Sequence, residues 1–254
     1  EYTTLGETGL SVSRICLGTM NFGREASGWR LDAEQSRRII ERAIELGITF
    51  FDTANVYRGG ESEEVLGETL ADYDRDQYVV ATKVRGSMDD DNPNAAGLSR
   101  KAIEQELANS LERLGMNTVD LYQIHRWDYD TPIAETMRTL DDAVRRNQVR
   151  YLGASSMWAH QFASALHTSD RLGLERFVSM QNHYNPVYRE EEREMLPLCE
   201  REGIGVIPWS PLARGYVTRP HAEFDTTDRG SEEAESRADR HEIYRSGGGV
   251  AINE

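Results

Sequence analysis

The chain has 254 residues, a formal net charge of -15 and two cysteines. That charge argues against nucleic acid or an anionic membrane as a partner, since both require a basic face, and no apolar run reaches the roughly 20 residues of a membrane span. Cys16 and Cys199 show neither metal-ligand spacing nor a disulfide framework, so reduced thiols and no metal are expected.

No secretory leader pattern is present, and no linker-like stretch divides the chain before its last forty residues. One domain over residues 1–254, soluble and cytoplasmic, is therefore expected. Its size suits a barrel of alternating strands and helices, which commonly runs to roughly 250 residues. The oligomeric state is left open. Of the 29 basic residues, Lys83 and Lys101 are the two lysines and the remaining 27 are arginine. An acidic surface nearly emptied of lysine reads as halophilic adaptation to molar salt, where the Debye length shrinks to about 3 Å and self-repulsion is screened.

The opening YTTLGETGLSVS alternates polar and apolar residues around Gly6 and Gly9 and is expected to form a hairpin, about 1–12, that plugs one end of the fold. Strand-like runs follow at about 14–19, 48–54, 77–84, 118–125, 149–155, 177–183 and 204–210. Amphipathic helices separate them. Asp32 caps a helix expected to turn Ile39, Ile40, Ala43 and Ile44 inward, with Gly47 at its end. Ser99 starts another carrying Ile103, Leu107, Leu111 and Leu114, closed by Gly115, and Thr131 followed by Pro132 opens a third with proline in its first turn. Strand, helix, strand in repetition implies parallel strands with right-handed crossovers. The run LGTMNFG lacks the GxGxxG of a doubly wound dinucleotide-binding sheet. The fold class expected is α/β, a TIM (β/α)8 barrel.

Four ionisable residues lie at or just beyond the carboxyl ends of three apolar runs: Asp52 and Tyr57 in FFDTANVY, Lys83 in YVVATKV and His125 in VDLYQIH. Barrels place their sites at that end. An acid with a cationic neighbour and a second hydrogen-bond donor is what reduction of a carbonyl requires. A free phenol titrates near 10, and an adjacent ammonium is expected to lower it. The other histidines, His160, His167, His183, His221 and His241, have no partners at ligand spacing and are assigned no chemistry.

At these residues the sequence resembles the aldo-keto reductase superfamily. FDTANVYRGGESEEVLG, ATKV, DLYQIHRWD, YLGASSMW, FVSMQNHYN and IPWSPLARG match its segments in order and spacing, and RWD with PWSPLARG is most similar to the aryl-alcohol-dehydrogenase-like branch. Potassium-channel beta subunits are more distant relatives. The resemblance implies reduction of an aldehyde or ketone with NADPH, NADH being possible, with Tyr57 as general acid assisted by Lys83, Asp52 and His125. It also implies that Trp209 stacks on the nicotinamide and that Ser155, Ser156 and Gln181 bind its carboxamide; Ser156 stands where the family often has Asn. Ser210, Pro211, Leu212, Arg214 and Gly215 would meet the pyrophosphate. Gly18, Thr19 and Met20, with Asp52, would line the floor beside the ring. Phe22, Arg126 and Trp127 would join Tyr57 and His125 as the substrate wall.

The polar segment 218–249 corresponds to the family's loop over the cofactor. The sequence closes on GGGVAINE, resembling the first turn of a seventh barrel helix, so the barrel is expected to be truncated before strand eight. Two alternatives to a reductase accompany that expectation: a channel-beta-like regulatory redox sensor and a non-catalytic fragment.

Overall fold

A computed structural model describes residues 1–218 and Pro220. The opening residues form an antiparallel hairpin of β1 (Tyr2–Thr4) and β2 (Ser11–Ser13). Strands β3 (Cys16–Gly18), β4 (Phe50–Asp52), β5 (Val79–Val84), β6 (Val119–Ile124), β7 (Val149–Ser155), β8 (Phe177–Gln181) and β9 (Gly205–Val206) then pair in chain order, all parallel, in one curled sheet. This is the expected barrel through its seventh strand, and no eighth strand occurs among the described residues. Apart from Thr218 and Pro220, the segment 218–249 and the closing GGGVAINE lie outside the described residues.

Helices make the crossovers. Helix α1 (Ala33–Glu45) opens on a capping box between Asp32 and Gln35. It is followed by α2 (Glu61–Leu70), α3 (Arg100–Leu114), α4 (Ile133–Arg145), α5 (Ala159–Leu172) and α6 (Met195–Arg201). Ser99 caps α3 through Ala102 N–H, and Gly115 closes it with φ +64°, a left-handed conformation that glycine adopts without steric cost. Two expectations need correcting. Ile39 is 40 % exposed whereas Ile40 and Ala43 are buried, because adjacent helical residues lie about 100° apart and only one of the two isoleucines can face the sheet. Pro132 takes the cap position of α4 rather than its first turn, and the Thr131 hydroxyl instead donates to Asp128 at 2.7 Å.

Strand parity sorts the side chains into two apolar layers. Phe51, Val80, Val84, Tyr122 and Ile124 face the helices and join the larger cluster. Phe50, Val79, Ala81 and Leu121 face the barrel axis and pack with Leu5 and Val12, so the hairpin stops the amino end of the barrel. Two residues further along the same axial rows come Asp52, Lys83 and Gln123. A polar layer thus sits on an apolar one at the carboxyl ends of the strands. No helix among the described residues is long and apolar enough to cross a membrane, and no group of His, Cys, Asp and Glu among them is arranged to hold a metal.

Candidate active site

Lys83 is fully buried, and each of its three donors is used. Nζ donates to Asp52 Oδ1 at 2.5 Å, to the Thr53 carbonyl at 2.7 Å and to Tyr57 Oη at 3.2 Å. The other Asp52 oxygen accepts from Gln123 Nε2 and Gln181 Nε2, each at 2.9 Å. Burial acts to lower the pKa of Lys83, but Asp52 and Tyr57, by charge and hydrogen bond, outweigh it and raise the pKa above the ordinary lysine value. The ammonium is therefore a fixed feature of the site.

Tyr57 departs from expectation in one respect. Lys83 does act to lower its pKa, but burial is the larger effect and Asp52 adds to it, so the net shift is upward. The phenol is thus held protonated at neutral pH, with the Lys83 ammonium 3.2 Å from its oxygen. The His125 ring meets the Tyr57 ring edge to face with centroids 5.6 Å apart. Burial, then Lys83, Arg126 and Arg85, push the His125 pKa well below its usual value, so the imidazole is neutral and can donate through one nitrogen only.

A second group forms at the ends of β7, β8 and β9. The Ser155 hydroxyl donates to the Gln181 carbonyl at 2.8 Å, and Trp209 Nε1 donates to Ser156 Oγ at 2.9 Å. The Trp209 ring stacks on His183 at 4.2 Å and 11°, and His183 stacks in turn on Tyr188 at 4.3 Å and 22°. Arg126 lies over the Trp209 ring at 5.7 Å. Ser210, Ala213 and Arg214 have φ of +51°, +49° and +56°, and Gly215 has +95°. These residues shape a tight turn in which the Ala213, Gly215 and Tyr216 N–H groups donate to the Ser210, Leu212 and Ala213 carbonyls. Of the seven non-glycine residues with positive φ, Arg85 and Ser156 directly follow β5 and β7, and Arg58, Ser210, Ala213 and Arg214 lie in the segments that leave β4 and β9. Such strain, on the order of 1 kcal/mol or more each, collects where function demands a particular backbone.

The remaining residues named from sequence are more dispersed. Thr19 is fully buried, its hydroxyl shared between the Asp52 carbonyl and Ser62. Phe22 is 2 % exposed within the apolar cluster, and Trp127 packs half-buried against that cluster. Gly18, Met20, Pro211 and Leu212 lie exposed at the rim. Gln123 and His183 were not anticipated. Gln123 is the parallel-register partner of Lys83, so parity along β6 would have placed it in the axial row. His183 gave no local signal, because its stacking partner Trp209 comes from a distant segment.

An axial carboxylate, ammonium and phenol thus meet at the carboxyl end of a (β/α) barrel, beside a neutral imidazole. The sequence profile of the Aldo/keto reductase family matches residues 14–246, and the chain belongs to that family. It is 42 % identical over 255 residues to an aldo-keto reductase of Metarhizium robertsii, covering 91 % of this chain and 69 % of that protein. It is 43 % identical over 245 residues to the versiconal hemiacetal acetate reductase of Aspergillus parasiticus, covering 89 % and 71 % respectively. A Schizosaccharomyces pombe protein with aryl-alcohol dehydrogenase in its name is 40 % identical over 262 residues, covering 93 % and 74 %. The chain is accordingly an oxidoreductase of the kind that reduces carbonyl groups with a nicotinamide cofactor.

Proposed function

We propose that Tyr57 is the general acid of this reduction, with Lys83, Asp52 and His125 as its assistants. The observation that carries the reading is the chain of hydrogen bonds from Asp52 through Lys83 to the Tyr57 hydroxyl. A nicotinamide cofactor supplies hydride when bound. The residues present suit one: a half-buried indole with His183 stacked on it, the hydroxyls of Ser155 and Ser156 and the amide of Gln181, with the Arg214 guanidinium in the turn that follows β9. Tyr57 Oη gives its proton to the carbonyl oxygen as the carbonyl carbon is reduced, and Lys83 stabilises the phenolate left behind. His125 donates to the same oxygen and orients it. One such acid is worth typically about 10²–10⁴-fold. The remaining acceleration comes from aligning the reacting atoms.

The aryl-alcohol dehydrogenases among the relatives make aryl aldehydes the first substrates to try. NADPH is the proposed cofactor, and a cytoplasmic, salt-adapted setting is proposed from the acidic, lysine-poor composition. The deciding experiment follows NADPH consumption with an aromatic aldehyde in the wild type and in Tyr57→Phe, which keeps the ring and removes the acid. Turnover should fall by at least about two orders of magnitude with cofactor affinity nearly unchanged. Comparable turnover in the two proteins would remove Tyr57 from the role. Repeating the assay up to about 2 M KCl tests the salt reading, since screening should raise stability and cofactor affinity together.

A further inference from the structure

The position of Tyr57 is set by the segment 53–57 that leaves β4, and this segment is tied down at alternate residues. Thr53 N–H donates to the Ala81 carbonyl at 2.9 Å, and Asn55 N–H donates to the Lys83 carbonyl at 3.3 Å. On the outer side, the fully buried Asn55 donates from Nδ2 to Glu106 Oε2 at 2.9 Å, reaching the middle of α3. Asn55 Oδ1 has no hydrogen-bond partner among the described residues, so the Glu106 bond is what compensates the burial of this amide.

Glu106 is held from its other side as well. It is 3 % exposed, Oε1 accepts from Asn109 Nδ2 at 2.9 Å, and Arg113 Nη2 lies 3.9 Å from Oε2. Arg113 is more closely engaged with buried Glu63, to which its Nε donates at 2.6 Å. On the same helix Ile103, Leu107 and Leu111 do the packing. A carboxylate taken out of water costs several kcal/mol unless its partners are well placed, and an apolar residue would pack this position at less cost. What the carboxylate secures is an amide two residues before the phenol.

We propose that Glu106 is a positioning residue for the reduction: by gripping Asn55 from α3 it keeps the Tyr57 hydroxyl within hydrogen-bond reach of Lys83. The inference rests on the reading of Tyr57 as the acid. At 3.2 Å, the bond to Tyr57 is the longest of the three made by Lys83, the others being 2.5 Å and 2.7 Å. A small outward shift of 53–57 therefore breaks the contact with the phenol first.

Asn55→Asp sets a carboxylate against the Glu106 carboxylate, and adding Glu106→Gln restores a donor–acceptor pair with the donor on the other side. With NADPH and benzaldehyde, the single variant should lose about tenfold to a hundredfold in kcat, with KM and the NADPH Kd within about twofold of wild type. The double variant should return to within about threefold, a coupling that independent sites do not show. Crystal structures should show the Nζ to Oη separation lengthened in the single variant and restored in the double. A double variant no better than Asn55→Asp, or an unchanged separation in both, overturns the inference. Where Asn55→Asp fails to fold, the cycle of Asn55→Ala, Glu106→Ala and their double decides: losses that multiply overturn the inference, and a double no worse than the larger single supports it. If the wild type reduces no carbonyl compound, the reading of Tyr57 as the acid falls, while the crystallographic separation still decides whether Glu106 positions the phenol.

Discussion

Asp52 and Asp120 are both buried carboxylates on axial strands with cations beside them, and they sit at opposite ends of the barrel. At the amino end, Asp120 Oδ2 accepts from Val80 N–H at 2.8 Å and Arg75 Nη2 at 2.6 Å, and Oδ1 accepts from Arg150 Nη1 at 2.5 Å. Its arginines remain 28 % and 45 % exposed, and Arg75 also donates to the Tyr78 and Thr118 carbonyls. The contacts there tie the starts of β5, β6 and β7 to one another. At the carboxyl end, Asp52 has a single cation, Lys83, which is wholly buried and spends one donor on a phenol. The difference lies in where the cation's bonds lead: into the frame at Asp120, and out to a titratable hydroxyl at Asp52.

The sharpest way to break that comparison is Lys83→Met, which keeps the bulk of the side chain and removes the ammonium. Turnover should drop by at least about two orders of magnitude. The phenol, left with burial and Asp52 acting on it, should titrate still higher, so the alkaline limb of the pH–rate profile should move up. An unmoved limb would uncouple the two residues.

The next effect depends on pH. Burial, then Arg214 and Arg126, depress the pKa of His183 from 6.5 to about 4. The unfolded chain binds the proton first, so stability is lost as pH falls from about 6.5 and the loss is complete once His183 itself titrates near 4. At 1.36 kcal/mol per unit, the loss on full protonation is on the order of 3 kcal/mol. His183→Phe preserves a flat ring between Tyr188 and Trp209 but cannot titrate. Its melting temperature should therefore fall less steeply than that of the wild type over the same interval, and parallel curves would refute the assignment.

Asp120→Asn supplies the matching change at the other end. It should cost about 1–2 kcal/mol of stability, a figure kept small because the arginines it releases can turn to solvent. Turnover per folded molecule should be unchanged. A loss of activity without loss of stability would mean that the amino end reaches the chemistry.

The comparison also shows what the sequence could reveal. Asp52 and Asp120 look alike as acids in apolar runs, but Asp52 stands at the carboxyl end of its run, where barrels place their sites, and Asp120 near the start of its own. Strand order, the caps at Asp32, Ser99 and Gly115 and the buried face of α3 are legible because hydrophobic periodicity and terminal residues are local signals. Gln123 was passed over because an uncharged polar residue in an apolar strand attracts no notice until parity aligns it with Lys83. His183 and Glu106 stayed hidden for a different reason. Their partners, Trp209 and Asn55, are 26 and 51 residues away, and no local pattern links them.

The smallest expected effect concerns Trp209, where the sequence-based role and the structure pull in different directions. If the indole is a platform for the nicotinamide, Trp209→Ala should weaken cofactor binding by about 0.5–1.5 kcal/mol, the worth of an aromatic pair. One ring face is already covered by His183, so a single face remains to bind, and Arg126 lies 5.7 Å from the ring. The truncation also leaves Ser156 Oγ without the indole N–H it accepts, which loosens the end of β7 as well. Trp209→Phe separates the two contributions, because it keeps a stacking face and removes only the N–H. A Phe variant with near-wild-type NADPH affinity and an Ala variant weakened about threefold to tenfold would establish stacking. Equal losses in both would assign the effect to the Ser156 hydrogen bond and leave Trp209 as a strut for β7.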